Sequence, residues 1–198
     1  FSMKKLNGNL VQKINIAVFI SGRGSNLLSI IKKSLTKKSL FKVSLVLSSR
    51  KNVKGLLIAK KYNIKTLVLD FTKSNSKETK VINILKKNQI KLVCLAGFMK
   101  ILSNNFINLF KGKIINIHPS LLPKYKGLNT HEKVIKNKDK YTGCTVHFVT
   151  KKLDSGKIIL KKKIRVRKYD NKTTVQKRVL KIEHEAYPKA IVKVLSNF

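Results

Sequence analysis

Acidic residues are the scarcest charged groups in this 198-residue sequence: 8 Asp plus Glu stand against 45 Lys plus Arg, a formal net charge of +37 at pH 7. Cysteine is almost missing as well. Cys94 and Cys144 lie far apart, with no Cys-x-x-Cys and no His at ligand spacing, so a disulfide framework is excluded, no metal site is indicated, and the cytoplasm is the expected compartment. Long apolar runs are lacking too, and nothing approaches the roughly 18 residues a membrane span requires. The first apolar run, 14 to 20, is interrupted by Asn15 and stops at Ser21-Gly22-Arg23-Gly24, too short for a signal core. Alanine is scarce (17, 59, 96, 186 and 190) while Ile, Asn and Lys abound, the residue usage of an AT-rich genome.

What is present suffices for a core. A chain of 198 residues with 42% hydrophobic content buries enough apolar surface to fold unaided, which argues against disorder despite the charge. One domain over 1–198 is expected, with Phe1-Ser2 before Met3 read as an expression remnant, because no repeat, linker or composition shift marks a second. Of the cations, five are Arg (23, 50, 165, 167, 178) and the other forty are Lys, spread along the whole chain. A dedicated nucleic-acid binder concentrates its basic residues on one face. Nucleic-acid binding is therefore expected to be non-specific at most, although so positive a field attracts polyanions whatever its origin.

Short Val-, Ile- and Leu-rich runs recur at 14 to 20, 43 to 47, 66 to 69, 91 to 96 and 114 to 117. Helix-like stretches alternate with them at 25 to 35, 54 to 62 and 77 to 88, the first carrying Leu27, Leu28, Ile31 and Leu35 on one stripe. This alternation predicts an α/β fold with a doubly wound, mostly parallel sheet, Rossmann-like in its first half. After residue 118 come a loop with Pro119, Pro123 and Gly127, a short helix near 130 to 137, and strand-like segments at 144 to 149 and 157 to 166 around Asp154-Ser155-Gly156. A C-terminal strand pair and helix are thus expected. That helix starts near Thr173 behind Asn171 as N-cap, and Pro188 is expected to kink or restart it.

Three places carry candidate chemistry. The first run feeds Ser21-Gly22-Arg23-Gly24-Ser25-Asn26 and then a helix, a turn whose backbone amides can approach an anion; an ordinary strand-to-helix turn looks the same. Asn116 and His118 fall at the carboxyl end of a central strand, where ligands bind in open α/β sheets, and a separation of two puts both on one side. An amide donor beside an imidazole suits acyl transfer, while a structural histidine remains the plainer alternative. Among the eight acids, Asp154 sits in an apolar-flanked turn where it can orient an imidazole, or simply serve the turn. Glu183 falls on the last helix, where a lysine salt bridge is the alternative. His147 alternates within a strand and is read as structural, and His131 and His184 show no metal-ligand spacing.

Four motifs occur in order: Ile20-Ser-Gly-Arg-Gly-Ser-Asn-Leu27, Leu95-Ala-Gly-Phe-Met-Lys-Ile-Leu-Ser103, Ile115-Asn-Ile-His-Pro-Ser-Leu-Leu-Pro-Lys-Tyr125 and Leu153-Asp-Ser-Gly156. Together they closely resemble the phosphoribosylglycinamide formyltransferases (glycinamide ribonucleotide transformylases), members of the folate-dependent formyltransferase family, from about Ile14 to the end. The resemblance implies formyl transfer from 10-formyltetrahydrofolate, as co-substrate, to the amine of 5-phosphoribosylglycinamide in de novo purine synthesis, with small-molecule substrates and no metal. It implies Asn116, His118 and Asp154 as the catalytic trio. Gly24, Ser25 and Asn26 match the substrate phosphate loop, and Glu183 matches a contact to the glycinamide substrate. Met99, Lys100, Ile101 and Leu102, with Thr150, Lys151, Lys152 and Leu153, match folate-contacting segments. Lys77 falls near the place of a folate-tail Arg. Lys100 and Asn129 depart from the Arg and His often found there, and Lys offers a point charge rather than a planar fork.

Two alternatives remain: a methionyl-tRNA formyltransferase-like enzyme, which shares the Ser-Leu-Leu-Pro loop but usually carries an additional C-terminal domain for which this length leaves no room, and a basic nucleic-acid-binding module on the same scaffold. Formyltetrahydrofolate hydrolases are a further relative, normally with an N-terminal regulatory domain. Monomer and homodimer are both open. Both implied ligands are anionic, so if the charge steers them, kcat/KM falls as salt rises.

Overall fold

The computed structural model describes residues 12–69 and 75–198; the remnant expected at 1–2 lies outside them. Seven strands follow the apolar runs: β1 (Ile14–Ile20), β2 (Phe41–Ser48), β3 (Lys65–Val68), β4 (Leu92–Leu95), β5 (Lys113–His118), β6 (Tyr141–Phe148) and β7 (Ile158–Arg165). Six helices connect and follow them: α1 (Ser25–Ser34), α2 (Lys54–Lys61), α3 (Asn75–Lys87), α4 (Asn104–Leu109), α5 (Thr130–Lys136) and α6 (Lys172–Leu195). Only α4 has no counterpart among the expected helices. Its six residues are too few to show a period, and its start is set by the Ser103 hydroxyl, which accepts from Phe106 N at 3.0 Å.

All seven strands form one sheet in the order β3-β2-β1-β4-β5-β6-β7, parallel from β3 to β5 and antiparallel for β5–β6 and β6–β7. The mostly parallel, doubly wound sheet with a C-terminal strand pair and helix is therefore present. β1 shows why its run is continuously apolar. Ile16, Val18 and Ile20 face one core, beneath α1 and α6, while Ala17 and Phe19 face the other, against Val81, Leu85 and Phe106. All five are fully buried, so neither side of the strand can be polar.

The sheet order places the site. From β1 the chain winds outward to β2 and β3, then returns across β1 to β4, so the connections leave the carboxyl ends of β1 and β4 in opposite directions. A crevice opens at such a switch point. Its walls are the turn after β1 and the Ala96-Gly97 turn after β4.

α6 is one continuous helix of 24 residues, begun by a capping box on Asn171, with Pro188 inside it. Pro188 neither ends nor restarts the helix. The stretch around it (Ala186, Tyr187, Ala190, Ile191) is fully buried, and tertiary packing of this face outweighs the backbone bond that Pro forgoes. The Tyr187 hydroxyl from this helix donates to the carbonyls of Leu95 at 2.8 Å and Ile115 at 3.1 Å, linking α6 to the ends of β4 and β5.

Candidate active site

The turn after β1 is held by its glycines. Gly24 has φ +75°, and a Cβ there would lie 2.6 Å from the Gly55 Cα, so the turn packs backbone to backbone on the start of α2. Gly55 N donates to Gly22 O at 3.0 Å. The Ser21 hydroxyl shares a 2.6 Å bond with Ser49 and accepts from Met99 N at 2.8 Å, joining the ends of β1 and β2 to the segment after β4.

These turns surround a cavity of about 390 Å³. Gly24, Ser25, Asn26, Met99 and Glu183 line it, so the expected phosphate loop and the acid of the last helix meet across most of the chain's length. Asn26 Nδ2 donates to Glu183 Oε2 at 2.7 Å, in place of the lysine salt bridge that a helix surface would have given. Burial pushes the Glu183 carboxyl up to about 7, against the opposing effect of the Asn26 bond. Asn26 Oδ1 is buried without a partner among the described residues.

Beyond Pro119, which lines the same cavity, lies a second cluster. His118 ends β5, and its Nε2 donates to the Tyr125 carbonyl at 2.8 Å while Nδ1 stands 3.4 Å from Asp154 Oδ2. Each ring nitrogen faces an acceptor, which fixes the ring plane. Asp154 adopts φ +45° in the β6–β7 connection and accepts from Gly127 N at 2.9 Å. Its burial raises the carboxyl pKa, but the His147 bond, the Gly127 N–H and the charge of His118 outweigh that and hold it below the usual carboxylate range. Asn116, His118 and Asp154 are thus brought together.

The structure gives the strand residue His147 specific partners. β5 and β6 pair with Asn116 directly opposite His147. The His147 Nδ1 donates to the Phe148 carbonyl at 2.8 Å, leaving Nε2 at 3.4 Å from the Asn116 amide and 3.5 Å from Asp154 Oδ1. It bridges two members of the trio. The sequence shows an alternating strand residue here, and nothing in it reveals the β5–β6 register that sets this contact.

Of the expected folate-contacting positions, Met99 lines the cavity and the others do not. Met99, Ile101 and Leu153 are strongly exposed for apolar side chains, whereas Leu102 is 5% exposed and packs in the core with Phe106. Thr150, Lys151 and Lys152 are exposed and Lys100 half-buried. Lys77 is half-buried at the start of α3, next to Glu78, whose carboxylate accepts from Ser103 N and Oγ. Lining residues given no role by the sequence include Arg23, Arg50, His131 and Gln176. Burial, then the charges of His118 and Lys172, lowers the His131 pKa. Among the described residues no group of three or more His, Cys, Asp or Glu could hold a metal ion, and no helix is long and apolar enough to cross a membrane.

The family profile described as formyl transferase matches residues 14–191. The chain belongs to the formyl transferase family. It is 41% identical to the phosphoribosylglycinamide formyltransferase of Escherichia coli strain K12 over 181 residues, covering 90% of this chain and 85% of that one. It is also 41% identical to the trifunctional purine biosynthetic protein adenosine-3 of Gallus gallus over 188 residues, 93% of this chain but 19% of that protein. The chain therefore spans about a fifth of the length of that trifunctional relative. Among solved structures, the phosphoribosylglycinamide formyltransferase of Anaplasma phagocytophilum superposes with a TM-score of 0.89 at 39% identity, covering 94% of this chain and 88% of that one. In this formyl transferase the cavity and the Asn116–His118–Asp154 cluster lie at the same edge of the sheet, separated by Pro119.

Proposed function

We propose that this protein transfers the formyl group of 10-formyltetrahydrofolate to the amine of 5-phosphoribosylglycinamide, a step of de novo purine synthesis, as a single catalytic unit acting on small molecules. The observation that carries this reading is the pair of neighbouring subsites: a glycine-turn cavity at a helix start, suited to a phosphate ester, beside an amide–imidazole–carboxylate cluster suited to acyl transfer. Met99, Ile101 and Leu153 are exposed apolar side chains available to the flat pteridine of the folate.

The substrate amine attacks the formyl carbon, forming a new C–N bond and a tetrahedral oxyanion. Asn116 donates its amide N–H to that oxyanion, in a site where the His147 ring and Asp154 set the amide's surroundings. The amine loses a proton as the folate C–N bond breaks, and the folate nitrogen gains one. His118 carries that proton, assisted by water, its ring held by Asp154 and by the Tyr125 carbonyl, which Nε2 must exchange for a substrate group. Gly24, Ser25 and Asn26 hold the phosphate, Glu183 contacts the glycinamide part, and the segments 99–102 and 150–153 with Lys77 contact the folate.

The test is a spectrophotometric assay of folate deformylation with the ribonucleotide, run beside formylation of charged initiator tRNA. Turnover of the small substrate, reduced about 10²–10⁴-fold in His118→Ala, is the expected result. No turnover above background, full activity in that variant, or turnover of the tRNA alone would overturn the reading.

A further inference from the structure

Forty of the chain's forty-five cations are Lys, so the positions where Arg stands instead carry information. One junction takes the guanidinium of Arg178 and only backbone groups of Arg165 and Arg167. Arg178 binds Asp170 and the Arg165 carbonyl, and Arg167 donates its N–H to the same Asp170. The other two, Arg23 and Arg50, follow different strands, β1 and β2, yet line the same cavity. Both side chains are exposed, and among the described residues neither guanidinium has a carboxylate within ion-pairing distance.

We propose that Arg23 and Arg50 form a two-sided guanidinium clamp on the substrate's phosphate monoester, and that this clamp sets the preference for phosphorylated over unphosphorylated substrate. The inference rests on the function proposed above and names residues to which the resemblance assigns no role. Guanidinium suits this task because its planar fork matches the oxygen geometry of phosphate and is less strongly hydrated than an ammonium group.

Three features of the surroundings support it. Arg50 stands on a rigid platform: the Ser48 hydroxyl donates to its carbonyl at 2.6 Å and accepts from its N–H at 3.1 Å, and the next residue back, Ser49, is bonded to Ser21 and to the Ile20 carbonyl. The close Gly24–Gly55 approach fixes the turn that carries Arg23. Asn26, 8% exposed and lining this cavity, keeps Oδ1 buried and, among the described residues, without a partner, an acceptor that a bound ligand's hydroxyl would satisfy. Glu183 also lines the cavity and would repel a phosphate, but its Oε2 is already engaged by Asn26. The two arginines therefore supply the cavity's cationic side.

The experiment compares Arg23→Ala, Arg50→Ala, the double variant and Arg23→Lys/Arg50→Lys with wild type, using Arg167→Ala as a surface control. KM is measured for the ribonucleotide and for the formyl folate, and ribose 5-phosphate binding is measured by calorimetry without folate. Loss of one charge-assisted contact is expected to raise the ribonucleotide KM about tenfold, and loss of both about a hundredfold, with folate KM and kcat within about twofold. Ribose 5-phosphate affinity should fall in parallel, and the Lys pair should recover part of it. Unchanged ribonucleotide KM, a fall shared equally by the folate, or an equal effect in Arg167→Ala overturns the clamp. If wild type does not turn over the ribonucleotide, the proposed function fails. The calorimetry then still decides the clamp: ribose 5-phosphate bound by wild type and lost in the double variant sustains it, and equal or no binding in both overturns it.

Discussion

Replacing Glu183 by Gln isolates a buried charge whose cost can be worked from the structure. Glu183 is 6% exposed, its carboxyl has one hydrogen-bond donor, Asn26 Nδ2, and burial raises its pKa from 4.5 to about 7. A carboxyl whose folded pKa is raised holds its proton more firmly when folded, so its contribution to stability is full below pH 4.5 and is lost as pH rises through about 7. Each pKa unit corresponds to about 1.4 kcal/mol, and integrating from pH 5 to pH 8 gives about 2–3 kcal/mol of stability lost to this group. Gln keeps the shape and an oxygen for Asn26 but cannot ionise. The assay is urea unfolding of both proteins at pH 5, 6, 7 and 8 and fixed ionic strength. The difference in unfolding free energy between wild type and Glu183→Gln should shift by about 2–3 kcal/mol in favour of the variant across that range. In a chain of this size this corresponds to about 5–10 °C in relative Tm. A difference that is flat with pH, or that slopes the other way, would refute the reasoning, because other titrating groups cancel in the comparison.

Other perturbations follow from the same geometry. Gly24→Ala must adopt φ +75° with its Cβ 2.6 Å from Gly55 Cα, so strain plus overpacking should cost about 2–4 kcal/mol, read as a lower urea midpoint; an unchanged midpoint would mean the glycine contact is dispensable. Tyr187→Phe removes the hydroxyl donor to the buried Leu95 and Ile115 carbonyls and should destabilise by about 1–3 kcal/mol in the same assay. Asp154→Asn should lower kcat about 10²–10⁴-fold while leaving the ribonucleotide KM nearly unchanged. Because the Asp154 pKa is lowered, its stabilisation is present above pH 3.8 and disappears as acid titrates it in the folded state; the Asn variant should lack that slope in acid unfolding.

How far the site was legible depended on the kind of signal each residue leaves. The Ser21–Asn26 turn and the Asn116-Ile117-His118 strand end could be found because a glycine turn between a strand and a helix, and polar residues closing an apolar run, are local patterns. Asp154 stood out by its scarcity and its turn. The partners of His147 are not legible in the sequence because they are set by the pairing of β5 with β6, and an alternating strand residue looks the same whichever neighbour it meets. The unbroken course of α6 through Pro188 is hidden for a related reason: the helix-breaking tendency of Pro is local, while the burial that overrides it comes from the sheet beneath α6. The small helix α4 left too short a period to detect.

The sequence by itself determined the alternation of strands and helices, the two-sided burial of β1, and the residue types needed for acyl transfer, because these follow from periodicity and composition over short windows. The tertiary structure alone decided which of them meet. The crossover of β4 to the far side of β1 opens the crevice, α6 folds back so that Glu183 reaches Asn26 across most of the chain, and the β5–β6 register sets His147 between Asn116 and Asp154. Contacts between residues so far apart in sequence are fixed by the burial of the two apolar cores on either side of the sheet, and no local pattern encodes them.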